Sequence, residues 1–247
     1  MQLMDDDNNR IQISEIFTSI EGEGILFGTK TMFVRMAGCH LRCRWCDTLY
    51  ALQMDSGNNY SIDHAKRLIT EYLQPNTYKV NFTGGEPLVQ HEAVIKLAKF
   101  VKKDKGLRTY LESACFDSDR FAKVLPYMDI CKIEFKMSDS GVMDVKHYGN
   151  LLDNEIECLK TSIKNHKITY IKVVITNSTD LDEFKDLVER NIFTYIEAVD
   201  LAGFIIQPSY GMDEPAVDKL FGFYDIVYPL YQDVRVIPQL HKTIGVK

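Results

Sequence analysis

Three cysteines, Cys39, Cys43 and Cys46, fall within the run Gly38-Cys39-His40-Leu41-Arg42-Cys43-Arg44-Trp45-Cys46-Asp47. Thiolates at these gaps can wrap one face of an iron–sulfur cubane, since cysteine is the usual protein ligand for such clusters. A structural zinc site closes its tetrahedron with four protein ligands. The nearest fourth candidate, His40, adjoins Cys39, and joint ligation by neighbours is strained. Three ligands on a 4Fe-4S cluster leave one iron open to a small molecule, and the expected chemistry is therefore reactive. Trp45, between the last two cysteines, is placed to shield a cluster or meet a nucleoside. Cys115, Cys131 and Cys158 are scattered and read as small buried hydrophobes.

A second constellation follows downstream, Thr83-Gly84-Gly85-Glu86-Pro87. Paired glycines let backbone approach a ligand closely, and Glu86 offers an acceptor to an ammonium group. A third lies ahead of the cysteines, Ile20-Glu21-Gly22-Glu23-Gly24, in which Glu23 reads as a buried turn acceptor. The chain ends in Val236-Ile237-Pro238-Gln239-Leu240-His241-Lys242, six residues short of its terminus at Lys247 when counted from His241. That stretch reads as an apolar terminal strand bearing one histidine.

The elements that must carry these groups alternate. Strand signals cover 11–17, 31–35, 79–83, 108–112, 130–135, 169–176 and 203–207, and helical spacing of apolar residues covers 61–73, 91–103, 154–166 and 181–190. Alternation of this kind implies an α/β fold with parallel pairing and right-handed crossovers. In such folds functional groups gather beyond the carboxyl ends of strands. The cysteine loop, the Gly-Gly-Glu-Pro turn and Gln207-Pro208 all fall there.

The 247 residues suit one domain, with 45% hydrophobic and 26% charged residues. A net charge of −6 gives no global attraction for nucleic acid or an acidic membrane. No apolar run approaches the roughly 20 residues that span a bilayer. The acidic, polar start reads as neither signal nor transit peptide. A cytoplasmic protein whose thiols stay reduced is expected.

The cysteine loop resembles the CxxxCxxC signature of the radical S-adenosylmethionine superfamily, and Gly84-Gly85-Glu86-Pro87 resembles its GGEP motif. The resemblance implies a partial (β/α)6 barrel as a single domain, with 1–10 a flexible segment and 11–247 the core and its C-terminal capping tail. It also implies that S-adenosylmethionine chelates the open iron and yields a 5′-deoxyadenosyl radical. From about residue 11 onward the Glu-Gly-Glu-Gly turn, Phe33-Val34-Arg35-Met36-Ala37-Gly38-Cys39, Trp45-Cys46-Asp47-Thr48 and the histidine-bearing tail resemble the 7-carboxy-7-deazaguanine synthase family. That family converts 6-carboxy-5,6,7,8-tetrahydropterin into 7-carboxy-7-deazaguanine with loss of ammonia, on the route to queuosine and archaeosine used in tRNA modification.

Carried over by motif, Thr48 is the expected magnesium ligand. Ile20, Glu21, Gly22, Arg35, Thr83, His241 and the Lys247 carboxylate are the expected pterin contacts. The expected cofactor contacts are Trp45, Cys46, Asp47, Gly84, Gly85, Glu86, Ser113, Glu134, Lys136, Gln207, Pro208, Ser209 and Tyr210. A flavodoxin or ferredoxin reductant and a homodimer are implied as well. The chain departs from the family at Glu21, where glutamine is usual, at Glu134-Phe135-Lys136 for Ser-Pro-Lys, and at Glu112-Ser113-Ala114-Cys115 for Glu-Thr-Asn-Gly. Two other readings fit the cysteines: an activase that makes a glycyl radical on a partner protein, and a metal or redox-sensing module without catalysis.

Overall fold

A computed structural model describes residues 9–142 and 145–246. Among these residues nine strands form one sheet in the order β3-β1-β2-β4-β5-β6-β7-β8-β9: β1 Arg10–Ile20, β2 Lys30–Met36, β3 Asn58–Ser61, β4 Lys79–Gly84, β5 Arg108–Ser113, β6 Ile130–Phe135, β7 Ile168–Ile175, β8 Phe204–Pro208 and β9 Val234–Val236. From β2 to β9 every neighbouring pair is parallel. β1 runs antiparallel to both β2 and β3, closing one edge with a meander that alternation did not foretell. Among the described residues no pairing joins β9 to β3, so the barrel is partial.

Helices cross over between the parallel strands, α1 Ile62–Tyr72, α2 His91–Phe100, α3 Ser118–Val124, α4 Val145–Lys164, α5 Leu181–Asp186 and α6 Val217–Val227, and a short helix, α7 Leu240–Ile244, follows β9. Their starts are written in the sequence. The Ser61 hydroxyl accepts the His64 N–H at 3.2 Å, the Asp117 carboxylate that of Arg120 at 2.9 Å, and the Asp180 carboxylate that of Glu183 at 2.8 Å. α1 turns Ile62, Ala65 and Ile69 inward, and α2 turns Ala93, Val94, Leu97 and Ala98 inward.

Alternate strand residues face opposite sides of a sheet. The helix-facing set, including Val80, Phe82, Leu111, Ile133, Phe135, Ile171, Val173, Phe204 and Ile206, makes the main core. On β5, β6 and β8 the opposite set is polar near the carboxyl ends and apolar below. Tyr110, Ile130, Tyr170 and Ile205, with Ile25, Leu26 and Ile237, plug the lower part of the barrel. The barrel therefore has a sealed floor and a chemically varied mouth.

Two expectations change. Arg10, assigned to a flexible segment, opens β1, and its side chain donates to Asn59 at 2.9 Å; residues 1–8 of that segment lie outside the described residues. His241, expected in a strand, sits on the short helix α7. β9 stops at Val236 because Pro238 brings no N–H to a ladder. No helix among the described residues is long and apolar enough to cross a membrane.

Candidate active site

The cysteine loop leaves β2 at its carboxyl end, and backbone bonds set its path. Gly38 N–H donates to the Ala51 carbonyl and Cys39 N–H to that of Leu52, each at 2.9 Å. Arg42 folds back and donates to the Cys39 and Leu41 carbonyls at 2.6 and 2.7 Å. Arg44 N–H reaches the Ser140 carbonyl at 2.9 Å, tying the loop to the end of β6. Gly85 and Glu86 donate to the carbonyls of Met36 and Gly38, both at 2.9 Å, so the glycine turn docks against the start of the cysteine loop. Gly84 needs its glycine: its φ is +142°, and a Cβ there would collide with the Met36 backbone.

Cys39, Cys43 and Cys46 all line one cavity at the barrel mouth. Burial pushes the Cys39 thiol up to about 12 and the Cys43 thiol up as well. Thiolates at these positions need a cationic partner, which is what an iron–sulfur centre supplies, so the donor set fits one. His40 turns away and packs on Phe116, ring centroids 3.9 Å apart, and does not line the cavity. It is no fourth ligand here.

The same cavity gathers most of the residues expected at the site. Trp45, Asp47, Thr48, Gly84, Gly85, Glu86, Ser113, Glu134, Lys136 and Gln207 line it, as do Ile20, Glu21, Gly22, Arg35, Thr83 and His241. Pro208, Ser209 and Tyr210 do not: Ser209 bonds the Ile175 and Asp213 carbonyls, and Tyr210 is 60% exposed. Lys247 lies outside the described residues.

Glu86 is held by three protein donors. It accepts from Leu88 N–H at 2.9 Å, the Ser113 hydroxyl at 2.8 Å and Ala114 N–H at 2.8 Å, so it binds the glycine turn to the end of β5. Two other groups point to a missing partner. Among the described residues the buried Gln207 Oε1 has no hydrogen-bond partner and the buried Arg35 Nε has no more than a long ion pair, and buried polar atoms of this kind are natural ligand contacts. Arg35 has Glu15 at 3.6 Å and the Phe17 ring 5.8 Å below its guanidinium.

Electrostatics inside the barrel were not foreseen. Lys132, Lys172, Glu112 and Glu23 also line the cavity. Glu134 accepts from Lys132 at 2.6 Å, from Lys136, and meets Lys172 at 3.1 Å. Burial alone would raise its carboxyl, but the three ammonium groups hold it well below the usual carboxylate range. Lys172 also donates to Glu23 at 2.7 Å. The signal was present as Lys132, Glu134 and Lys136 at alternate positions on and just past β6, which reads as a solvent face unless the strand borders a polar barrel interior.

The tail crosses the mouth. Gln239 donates to Glu23 at 2.7 Å and to Asp47 at 3.3 Å, while His241 and Lys242 approach Asp47 at 3.6 and 3.8 Å. Burial would raise Asp47, but the neighbouring His241 and Lys242 draw it down to about 2. Glu23, Asp47 and His241 offer ligand atoms within 4.8 Å of one another. Their cationic and amide partners make this cluster a clasp between tail and loops.

Comparison with known proteins agrees with this geometry. Residues 20–142 match the model of a 4Fe-4S single cluster domain. The 7-carboxy-7-deazaguanine synthase of Methanothermobacter thermautotrophicus is 30% identical over 249 residues, covering 96% of this chain and 98% of the relative. That of Archaeoglobus fulgidus is 31% identical over 247 residues, covering 96% and 100%. Among solved structures, QueE from Escherichia coli superposes with a TM-score of 0.66 at 17% identity, covering 96% of this chain and 100% of that one, a likeness of fold. Near-complete alignment at this identity, with the cysteine loop and its cavity intact, establishes that the chain belongs to the 7-carboxy-7-deazaguanine synthase family.

Proposed function

We propose that the chain performs the reaction for which its family is named, converting 6-carboxy-5,6,7,8-tetrahydropterin into 7-carboxy-7-deazaguanine with release of ammonia. The observation that carries this reading is that one cavity holds the three cysteines, the glycine turn and a set of charged groups suited to a carboxylated, donor-rich heterocycle. A 4Fe-4S cluster on Cys39, Cys43 and Cys46 and S-adenosylmethionine beside Gly84 and Gly85, when bound, supply the radical that takes hydrogen next to the substrate carboxylate. The remaining chemistry belongs to the chain.

Arg35, whose Nε has only the long 3.6 Å ion pair to Glu15, receives the substrate carboxylate through its planar fork. Glu21 accepts from the N–H groups of the aminopyrimidine edge. Thr48, whose hydroxyl lies 3.8 Å from the Cys46 sulfur, would offer an oxygen ligand to a magnesium ion that orients the substrate. The unpaired Gln207 Oε1 accepts from the cofactor. Gln239 and His241 close the mouth and keep water from a reactive centre.

A mouth closed by the chain's own tail favours a small substrate over a protein loop, and therefore over a glycyl radical activase. A protein reductant of the flavodoxin or ferredoxin kind, a homodimer and a product destined for tRNA deazapurines complete the reading. Anaerobically reconstituted protein incubated with S-adenosylmethionine, magnesium, reductant and the carboxypterin is expected to release ammonia and form the deazaguanine acid. Cofactor cleavage without product would assign a different substrate, and no cleavage at all would return the chain to a passive metal module.

A further inference from the structure

Glu21 brings an acid to a position where the family usually keeps an amide, and the structure shows what accompanies it. Its carboxylate is 3% exposed at the end of β1 and lines the cavity. From β4, the fully buried Lys79 donates to Glu21 Oε2 at 2.9 Å. The same ammonium donates to the Thr31 hydroxyl at 2.5 Å and the Thr29 hydroxyl at 3.2 Å, so its three protons are all engaged. It also stands 5.2 Å from the centroid of the Tyr110 ring. Asn81, two residues along the strand, donates to Glu112 at 2.8 Å and approaches the same Glu21 Oε2 at 3.5 Å. Both protein donors thus converge on one oxygen of Glu21.

Lys79 itself does not line the cavity. A lysine buried this completely costs several kcal/mol of desolvation unless its charge is matched, and Glu21 is the carboxylate that matches it. The groups facing Glu21 are Lys79 from β4, Glu112 and Tyr110 from β5, Tyr170 from β7, and Glu23 beyond β1. All but Lys79 are acids or neutral phenols, so Lys79 is the cation that opposes them.

We propose that Lys79 is a positioning residue of the substrate site: its ammonium fixes the Glu21 carboxylate through Oε2, leaving Oε1 to accept the N–H donors of the pterin edge. The inference rests on the pterin reading above and deepens it. A lone acid at position 21 is set against Glu112 and Glu23. Paired with Lys79, its ionised form becomes an acceptor of fixed direction, a stronger partner for a donor edge than a neutral amide. Burial, then the Glu112 charge, push Glu21 up to about 7 while Lys79 draws it back. Deprotonation of Glu21 therefore favours binding as pH rises through neutrality.

The test compares wild type, Lys79→Met, Glu21→Gln and the double variant Lys79→Met/Glu21→Gln, as iron-loaded anaerobic enzyme with the carboxypterin. Lys79→Met is expected to raise KM about ten- to hundredfold, the worth of a charged hydrogen bond, with a smaller change in kcat. It is also expected to move the pH dependence of KM to higher pH. Glu21→Gln, which strands the ammonium, is expected to raise KM too. The double variant, carrying a neutral acceptor and no buried cation, is expected to recover most of the loss. Should Lys79→Met fail to fold, Lys79→Gln/Glu21→Gln decides by the same recovery. An unmoved KM and pH profile in Lys79→Met, or a double variant as impaired as the sum of the singles, overturns the proposal. Absence of pterin turnover by wild type overturns instead the functional reading beneath it.

Discussion

The imidazole of His241 lies against Gly22 so closely that a Cβ at position 22 would fall onto its Nδ1, and the Leu240 N–H donates to the Gly22 carbonyl at 3.0 Å. The glycine is there to admit the tail. Gly22→Ala is therefore expected to push α7 off the cavity mouth at an overpacking cost of about 1–3 kcal/mol. The expected result is a rise of roughly ten- to hundredfold in KM for the carboxypterin, with full iron content. Steady-state kinetics beside an iron determination check it; unchanged KM would show that the tail takes no part in the pocket.

The cysteines divide by surroundings, and the division is measurable. Cys39, Cys43 and Cys46 line the cavity, whereas Cys115, Cys131 and Cys158 are fully buried, with Cys158 turned to the Cys115 carbonyl at 3.8 Å. Cys43→Ala is expected to lose the cluster and all cofactor cleavage. Cys131→Ala is expected to keep a full iron complement and lose about 1 kcal/mol or slightly more of stability through the small cavity it leaves. Iron per chain after anaerobic reconstitution distinguishes the two, and equal losses would mean that the ligand assignment is wrong.

Much of the site was legible because it is local. The cysteine loop and the Gly-Gly-Glu-Pro turn are contiguous, and each carries its chemistry and its backbone requirement in a few residues. Lys79, Asn81, Glu112, Lys132 and Lys172 come from four different strands and meet only when β4 to β7 pair in register. Nothing within one strand states that its polar face looks into a barrel. The tail failed for a different reason. A helix of five residues shows too little of a 3.6-residue period to be read, and the apolar run before Pro238 suggests a strand continuing past it. The direction of β1 was hidden because period two marks a strand but not its direction, and β3 was missed outright because the four residues Asn58–Ser61 are polar and too few to show a period.

Magnesium dependence tests the hydroxyl next to the cluster loop. Thr48 stands at the cavity wall, one residue beyond Asp47 and 3.8 Å from the Cys46 sulfur. Thr48→Ala is expected to abolish most of the stimulation of turnover by magnesium while cofactor cleavage persists, and Thr48→Ser is expected to retain it, because a hard ion responds to the oxygen and not to the methyl group. Titrating magnesium against product formation for the three proteins checks this. A normal magnesium response in Thr48→Ala would remove the residue from that role.

Glu155 makes a prediction about stability against pH. It is wholly buried on α4, and its Oε1 accepts the Lys136 N–H at 3.2 Å while Oε2 has no hydrogen-bond partner among the described residues. Burial, then the nearby Cys115, raise its carboxyl well above the ordinary range, so the folded chain holds a proton there that the unfolded chain releases. With the folded value raised, the contribution to stability is fully present below the unfolded value near 4.3. It declines as pH rises from there toward the folded value, because the unfolded state then binds fewer protons. Glu155→Gln keeps an acceptor for the Lys136 N–H without a titrating group. Wild type is therefore expected to lose more thermal stability than Glu155→Gln between about pH 5 and pH 8, with the variant equal or superior at the alkaline end. Paired unfolding curves across that range decide the matter. Parallel slopes would mean that Glu155 is ionised in the folded protein.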